Sequence, residues 1–291
     1  MLARSYRRAL LAQNKSPRTV QAYGEAVRLF GEFLVARGMP TNVADITREH
    51  VELFIADLLA RWKPATAHNR YRSLTTFFRW LAEEGEIPVS PMARMKPPAV
   101  PETPPDVLAE EQIRALLKAC GGKAFEDARD TAIIRLFFDT GMRRAELAAL
   151  ATNALDLEAN AVTVLGKGRR PRLCVFGRKT ALALDRYGRA RARHKHAGSP
   201  RLWITRLGEM TDNGVYQMIC TRAEQAGIGK IHPHQLRHTF AHAWLATGGQ
   251  EGDLMRLAGW KSRDMLSRYG ASAADARAHA AYQTRSPGDR L

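Results

Sequence analysis

Prolines stand at 97, 98, 101, 104 and 105, within the segment KPPAVPETPP. Proline fixes φ, lacks a backbone N–H and pushes its predecessor out of the helical region, so this run cannot lie inside a helix or a central strand. It splits the chain. Residues 1–96 and 106–291 are expected to fold as separate domains joined by an extended, semi-rigid linker over 97–105. With 291 residues and 45% hydrophobic content, each part is long enough to bury a core of its own.

The first part reads as all helical. Ser16 and Pro17 open a segment with apolar residues at Val20, Tyr23, Val27, Phe30 and Leu34 and a closing Gly38, the pattern of a capped amphipathic helix. A second helix begins at Thr47 and buries Val51, Phe54, Ile55 and Leu58. A third runs from Pro64 to Glu84 with Leu74, Phe77, Phe78 and Leu81 inward and Gly85 at its end, and a shorter segment over Tyr6–Leu11 completes the unit. Lys63, Arg70, Arg72 and Arg79 lie on or beside this third helix with Thr66, His68, Asn69 and Ser73, a mixture of charge and short polar groups suited to a DNA groove or to a solvated face.

The second part is mainly helical with a small antiparallel sheet. Helices are expected over Ala109–Cys120 and Asp127–Thr140, with Gly141 as a left-handed stop and Arg143 at the start of a short helix that follows. From Leu155 to Phe176 the apolar period drops to two, giving strands in LDL, AVTVL and RLCVF, with Asn160 in the first turn and Lys167, between Gly166 and Gly168, in the second. A basic helix over Lys179–His194, a strand at Leu202–Ile204, a helix over Asp212–Gln225 and a tail helix in ASAADARAHAAY complete the reading. Taken singly, Arg143 is an exposed arginine beside a helix stop and Lys167 an ordinary hairpin lysine.

Composition narrows the partner. The net charge is +16, with 15 basic against 9 acidic residues over 1–96 (+6) and 30 against 19 over 106–291 (+11), so both parts suit a polyanion. Charge alone does not separate DNA from RNA or from an acidic membrane. Cys120, Cys174 and Cys220 are odd in number and far apart, which suggests neither a disulfide framework nor a cysteine metal site. No apolar stretch resembles a signal peptide or a membrane span, and a cytoplasmic, soluble protein is expected.

The chemistry gathers in HPHQLRHTFAHAWLATGGQEGDLMRLAGWKSRDMLSRY, residues 232–269. If Pro233 opens a helix, His234 and Arg237 share its first-turn face, where backbone N–H groups without helical partners favour an anion. Tyr269 can fold back to that phosphate seat past the Gly248-Gly249 break and is the candidate nucleophile, with Tyr282 as its rival. His234, His238 and His242 at four-residue spacing lack both the zincin glutamate and a nearby acidic ligand, so no metal and no cofactor is assigned.

Taken together, TGMRRAEL at 140–147, GKG at 166–168, HQLRHTF at 234–240 and LAGW at 257–260 followed by Tyr269 resemble the boxes of the tyrosine recombinases of the phage-integrase family, and the chain is similar to the short type that resolves chromosome dimers. The helical first part likewise resembles that family's core-binding domain. The resemblance implies a mixed α/β catalytic domain in which Arg143, Lys167, His234, Arg237 and Trp260 surround the nucleophile Tyr269. Trp260 stands where histidine is more usual, and its indole N–H can still donate to a phosphate oxygen.

The implied partner is a double-stranded DNA recombination site, bound by a tetramer near the nucleoid, with a directionality factor or a second recombinase as possible helpers. Lys63, Thr66, Arg70, Arg72, Arg169, Arg170 and Arg172 are the candidate DNA contacts. A type IB topoisomerase and a catalytically silent DNA-binding protein are the alternatives.

Overall fold

The computed structural model describes residues 2–101, 105–166 and 170–260, with Arg263, Leu266, Ala278, Tyr282, Gln283 and residues 285–290. Contacts divide the chain into two units, Met1–Glu102 and Thr103–Leu291. The expected tail helix lies almost wholly outside the described residues. No described helix is long and apolar enough to cross a membrane.

In the first unit, the hydroxyl of Ser16 accepts the Thr19 N–H at 3.1 Å and Pro17 takes the first helical position, so the chain enters a helix where its N–H groups lack partners. Four helices follow one another: α1 (Leu2–Ala12), α2 (Pro17–Ala36), α3 (Arg48–Arg61) and α4 (Pro64–Glu83). The first is longer than the expected Tyr6–Leu11, and Tyr6 and Leu10, one turn apart, are its buried residues. They join Phe30, Phe54, Phe77 and Phe78 in a single aromatic-rich core. Phe54 meets Phe30 edge to face at 5.2 Å, a geometry that favours the ring quadrupoles. Gly85, at φ +76°, ends α4.

The second unit opens with α5 (Glu110–Lys118), α6 (Phe125–Thr140) and α7 (Arg144–Ala148). A three-stranded antiparallel sheet follows, β1 (Leu155–Asp156), β2 (Ala161–Leu165) and β3 (Pro171–Val175), in the order β1-β2-β3. Its period of two sets the faces: Val162 pairs with Cys174 and Val164 with Arg172, so these four point to the core side while Leu165, Leu173 and Val175 face out. After α8 (Arg178–Ala192), the strand expected at Leu202–Ile204 is instead β4 (Ile204–Thr205), paired with β5 (Gly208–Glu209). Leu202 and Trp203 are drawn away from it. The Leu202 N–H donates to the Leu150 carbonyl at 2.8 Å, and the buried Trp203 indole donates to Leu147 at 2.8 Å, which fixes α7 from below.

The unit ends in α9 (Asp212–Gln225), α10 (Pro233–Ala246) and α11 (Glu251–Ala258). An ion cluster ties α9 to α6: Arg222 reaches Asp127 at 2.9 Å and Asp130 at 2.7 Å, and Arg129 pairs with Asp130 at 2.7 Å. Breaking such a cluster on one side leaves a buried charge without compensation.

Gly141 decides how the chain leaves α6. Its φ of +54° and ψ of 22° are left-handed, and a Cβ there would lie 2.2 Å from Cδ1 of the buried Phe240. Only glycine allows α10 to come this close. Gly141→Ala is expected to lower the stability of the full chain by about 2–4 kcal/mol, through steric overlap and backbone strain together, as read by urea denaturation.

Candidate active site

Immediately past the Gly141 turn, Arg143 is the N-cap residue of α7, in extended backbone, and its own side chain is 44% exposed. One turn on, Glu146 folds back beneath it. The Glu146 carboxylate is 7% exposed and accepts the Arg143 backbone N–H at 2.8 Å and its Nη1 at 2.9 Å. The opposite edge of the same carboxylate is held by Arg172 of β3, at 3.0 and 2.7 Å. Burial raises the pKa of Glu146, but the hydrogen bonds from Arg172 and from the Arg143 backbone outweigh it and bring the carboxyl down to about 2. Glu146 is a fixed negative charge at every physiological pH.

The second arginine arrives on α10. His232 is its N-cap residue and Pro233 its first residue, so the N–H groups of the opening turn have no carbonyl partner within the helix. His234 is exposed on this turn, and Arg237, one turn further, is 4% exposed. The Arg237 guanidinium donates from Nη1 to the Gly141 carbonyl and from Nη2 to the Ala258 carbonyl, the latter at 3.0 Å. It also lies over the Trp260 ring, 5.6 Å from the centroid.

One buried cation thus touches the turn that precedes Arg143 and the turn that carries Trp260. His238 sits beside His234 at 6.3 Å between ring centroids, and burial, then the charges of His234 and Arg237, lower its pKa to about 4. It is a neutral ring at physiological pH.

Arg143, His234, Arg237 and Trp260 are all brought to this region of the second unit through shared contacts or a shared helix. Lys167, Arg169 and Tyr269 lie outside the described residues. Arg172, expected to contact DNA, is turned inward: its side chain is 14% exposed, because the alternation of β3 puts residues 172 and 174 on the core face. Arg170 is exposed. Glu146 joins the site without a functional signal in the sequence, where its spacing from Arg143 matches a helix-start capping box. Among the described residues no group of three or more His, Cys, Asp or Glu side chains could hold a metal ion.

In the first unit, α4 and the start of α2 border an open groove of about 890 Å³ whose walls include Arg18, Thr19, Thr66, Asn69, Arg72 and Arg79. Lys63 and Arg72 are exposed. Arg70 is partly committed to the fold, donating to the Ala22 carbonyl at 3.3 Å with its guanidinium 5.9 Å from the Trp62 ring centroid. Ser73 borders the same groove but is buried, with its hydroxyl donating to the Asn69 carbonyl at 2.9 Å. Arg18 and Thr19 come from α2, where the sequence pattern signals a capped amphipathic helix and no groove.

Comparison with known proteins gives this geometry a context. The phage integrase family matches residues 106–276, and the N-terminal SAM-like domain of phage integrases matches residues 2–85. The tyrosine recombinase XerC of Roseiflexus castenholzii is 31% identical over 81% of this chain and 77% of its own length. XerC of Oceanobacillus iheyensis is 27% identical over 89% of this chain and 87% of its own.

Among solved structures, the XerH recombinase on a palindromic difH substrate superposes with a TM-score of 0.79 at 18% identity, covering 93% of this chain and 81% of that one. A lambda integrase tetramer on a Holliday junction gives 0.69 at 16% identity, covering 90% and 76%. These two likenesses speak for the fold, and the match over residues 106–276 speaks for the family: the chain belongs to the phage integrase family of tyrosine recombinases, in the two-domain form that XerC shares.

Proposed function

We propose that this protein is a site-specific DNA recombinase that cleaves and rejoins strands through a 3′-phosphotyrosyl intermediate at Tyr269, without metal or nucleotide cofactor. The observation that carries the reading is the joining of the Arg143 turn, Arg237 and the Trp260 turn by one buried guanidinium, with His234 exposed on the same helix. Two arginines at one place suit a phosphodiester that gains negative charge as it is attacked, since guanidinium groups form charge-assisted, paired hydrogen bonds with phosphate oxygens.

In the proposed step the Tyr269 oxygen attacks the scissile phosphorus while the bond to the 5′ oxygen breaks. The tyrosine proton passes to His234, and Lys167 supplies the proton that makes the leaving group a hydroxyl. Arg143 and Arg237 stabilise the pentacoordinate state, and the Trp260 indole N–H is assigned a phosphate oxygen. The phosphotyrosyl ester conserves the energy of the broken bond, so a second DNA 5′-hydroxyl completes the exchange by the reverse reaction. The lambda integrase likeness is to a tetramer on a Holliday junction, and a tetramer on two duplexes is the assembly proposed for this chain as well. The groove along α4 is assigned to the DNA backbone and base edges.

A denaturing gel tests the chemistry. With nicked DNA carrying the recombination site and a chelator present, the wild-type protein is expected to give a covalent protein–DNA adduct and Tyr269→Phe none while still binding the DNA. Adduct formation by Tyr269→Phe would sink the nucleophile assignment, and an adduct that disappears with chelator would sink the metal-free step. Arg237→Ala is expected to slow single-turnover cleavage about 100-fold or more, because it removes charge aimed at the transition state. For the groove, Arg72→Ala and Arg79→Ala should each reduce the slope of log binding constant against log salt by about 1. A slope equal to wild type in both variants would remove the groove from the DNA contact surface.

A further inference from the structure

Arg172 stands five residues beyond Lys167 on strand β3, and its guanidinium is turned to the protein interior. Its fork grips both oxygens of Glu146, Nη1 to Oε1 at 3.0 Å and Nη2 to Oε2 at 2.7 Å. Arg143 shares those same two oxygens, but unequally. Only its Nη1 meets Oε1, at 2.9 Å, while Oε2 takes its backbone N–H at 2.8 Å. A guanidinium and a carboxylate left to themselves favour two parallel hydrogen bonds. Here that bidentate position is occupied by Arg172.

The other side of Arg172 is also constrained. A Cβ placed on Gly259 would come within 3.1 Å of Nε and 3.2 Å of Cδ and Cζ, so the stem packs directly on the left-handed residue before Trp260. Among the described residues its buried Nε has no hydrogen-bond partner, a cost accepted where the fork and the packing fix the side chain. Arg172 therefore touches, at once, the carboxylate under Arg143 and the turn of Trp260, from strand β3.

We propose that Arg172 is a positioning residue for Arg143: by occupying the bidentate edge of Glu146, it leaves the Arg143 guanidinium tethered by one arm and open toward the scissile phosphate. The inference rests on the reading above, in which Arg143 meets that phosphate. The exposure of the two side chains fits, 44% for Arg143 against 14% for Arg172. The remaining side-chain N–H groups of Arg143 make no hydrogen bond among the described residues. Without Arg172, the full charge of Glu146 falls on Arg143. The carboxylate then rotates to pair with it in fork geometry, and Arg143 is drawn away from the DNA.

A four-variant cycle tests this. Single-turnover adduct formation on saturating nicked DNA is measured for wild type, Arg172→Met, Glu146→Gln and the double variant, with DNA affinity and the melting curve recorded for each. Arg172→Met is expected to slow cleavage about 10–100-fold with DNA affinity unchanged, and adding Glu146→Gln should restore at least about 5-fold of that loss, since a neutral amide no longer captures Arg143.

A double variant no faster than Arg172→Met would overturn the proposal, because a merely structural role makes the second lesion additive. So would Arg172→Met cleaving at the wild-type rate. If Arg172→Met does not fold, Arg172→Lys takes its place: one ammonium cannot fork, so slowed cleavage with partial rescue by Glu146→Gln supports the proposal and its absence refutes it. Arg143→Ala is run alongside; a wild-type rate there would overturn the reading itself, and with it the proposal, whereas strong loss there with no rescue in the cycle overturns the proposal alone.

Discussion

The Arg237 guanidinium is a charge withdrawn from water, and the second unit is arranged to make that tolerable. An uncompensated ion in such a place costs several kcal/mol, so its donors have to be met by oriented acceptors. Two of them are backbone carbonyls, of Gly141 and Ala258, and the Trp260 ring lies against its face. Both carbonyls belong to tight turns: Gly141 and Gly259 are left-handed at φ +54° and +65°. The conformations that end α6 and α11 therefore present the acceptors that Arg237 needs. Placing Arg143, Arg237 and Trp260 becomes one structural problem with one solution, which is why residues about a hundred positions apart in sequence form one site.

Glu146 sets the charge of that site. Three guanidiniums, of Arg143, Arg172 and Arg237, stand with a single carboxylate in one connected set of contacts, a net of two positive charges. On the proposed chemistry the phosphodiester enters with about one negative charge and passes through a state with about two. Fixed positive charge aimed at the second of these states holds the transition state better than the ground state, which is the condition for rate enhancement and not merely for binding. Removing Glu146 altogether would add positive charge, yet it would also free Arg143 from the cap that orients it. The carboxylate is useful because two arginines share it.

Much of this was legible in the sequence, because caps and periods are local. Ser16-Pro17, Gly85 and Gly141 mark helix ends where the structure has them, and the alternation through AVTVL and RLCVF gives the sheet its faces. The same alternation puts Arg172 in line with Cys174 on the inner face, so its burial follows from the pattern, whereas its place beside a basic turn points the other way, to a DNA contact. Glu146 was hidden differently. Its spacing from Arg143 signals a helix cap, but its second partner lies 26 positions away on β3, and only tertiary structure supplies it. The β4–β5 pair was missed because two-residue strands leave no periodicity to read.

The two units use their positive charge in different ways. In the second, Arg129, Arg222 and Arg237 are turned into the fold, and Arg191 donates to four carbonyls, of Ala197, Ser199, Arg201 and Leu202, at 2.7–3.0 Å. Such arginines are structural cross-links whose fixed, planar donors suit carbonyls and carboxylates. Along α4 in the first unit, Arg72 and Arg79 stay exposed on an open groove. Only exposed cations release counterions on meeting a polyanion, so a net charge of +16 overstates the electrostatic grip such a chain can exert. Of the inward-turned arginines of the second unit, Arg237 is the one that the proposed chemistry sets against a phosphate, a task for orientation more than for field.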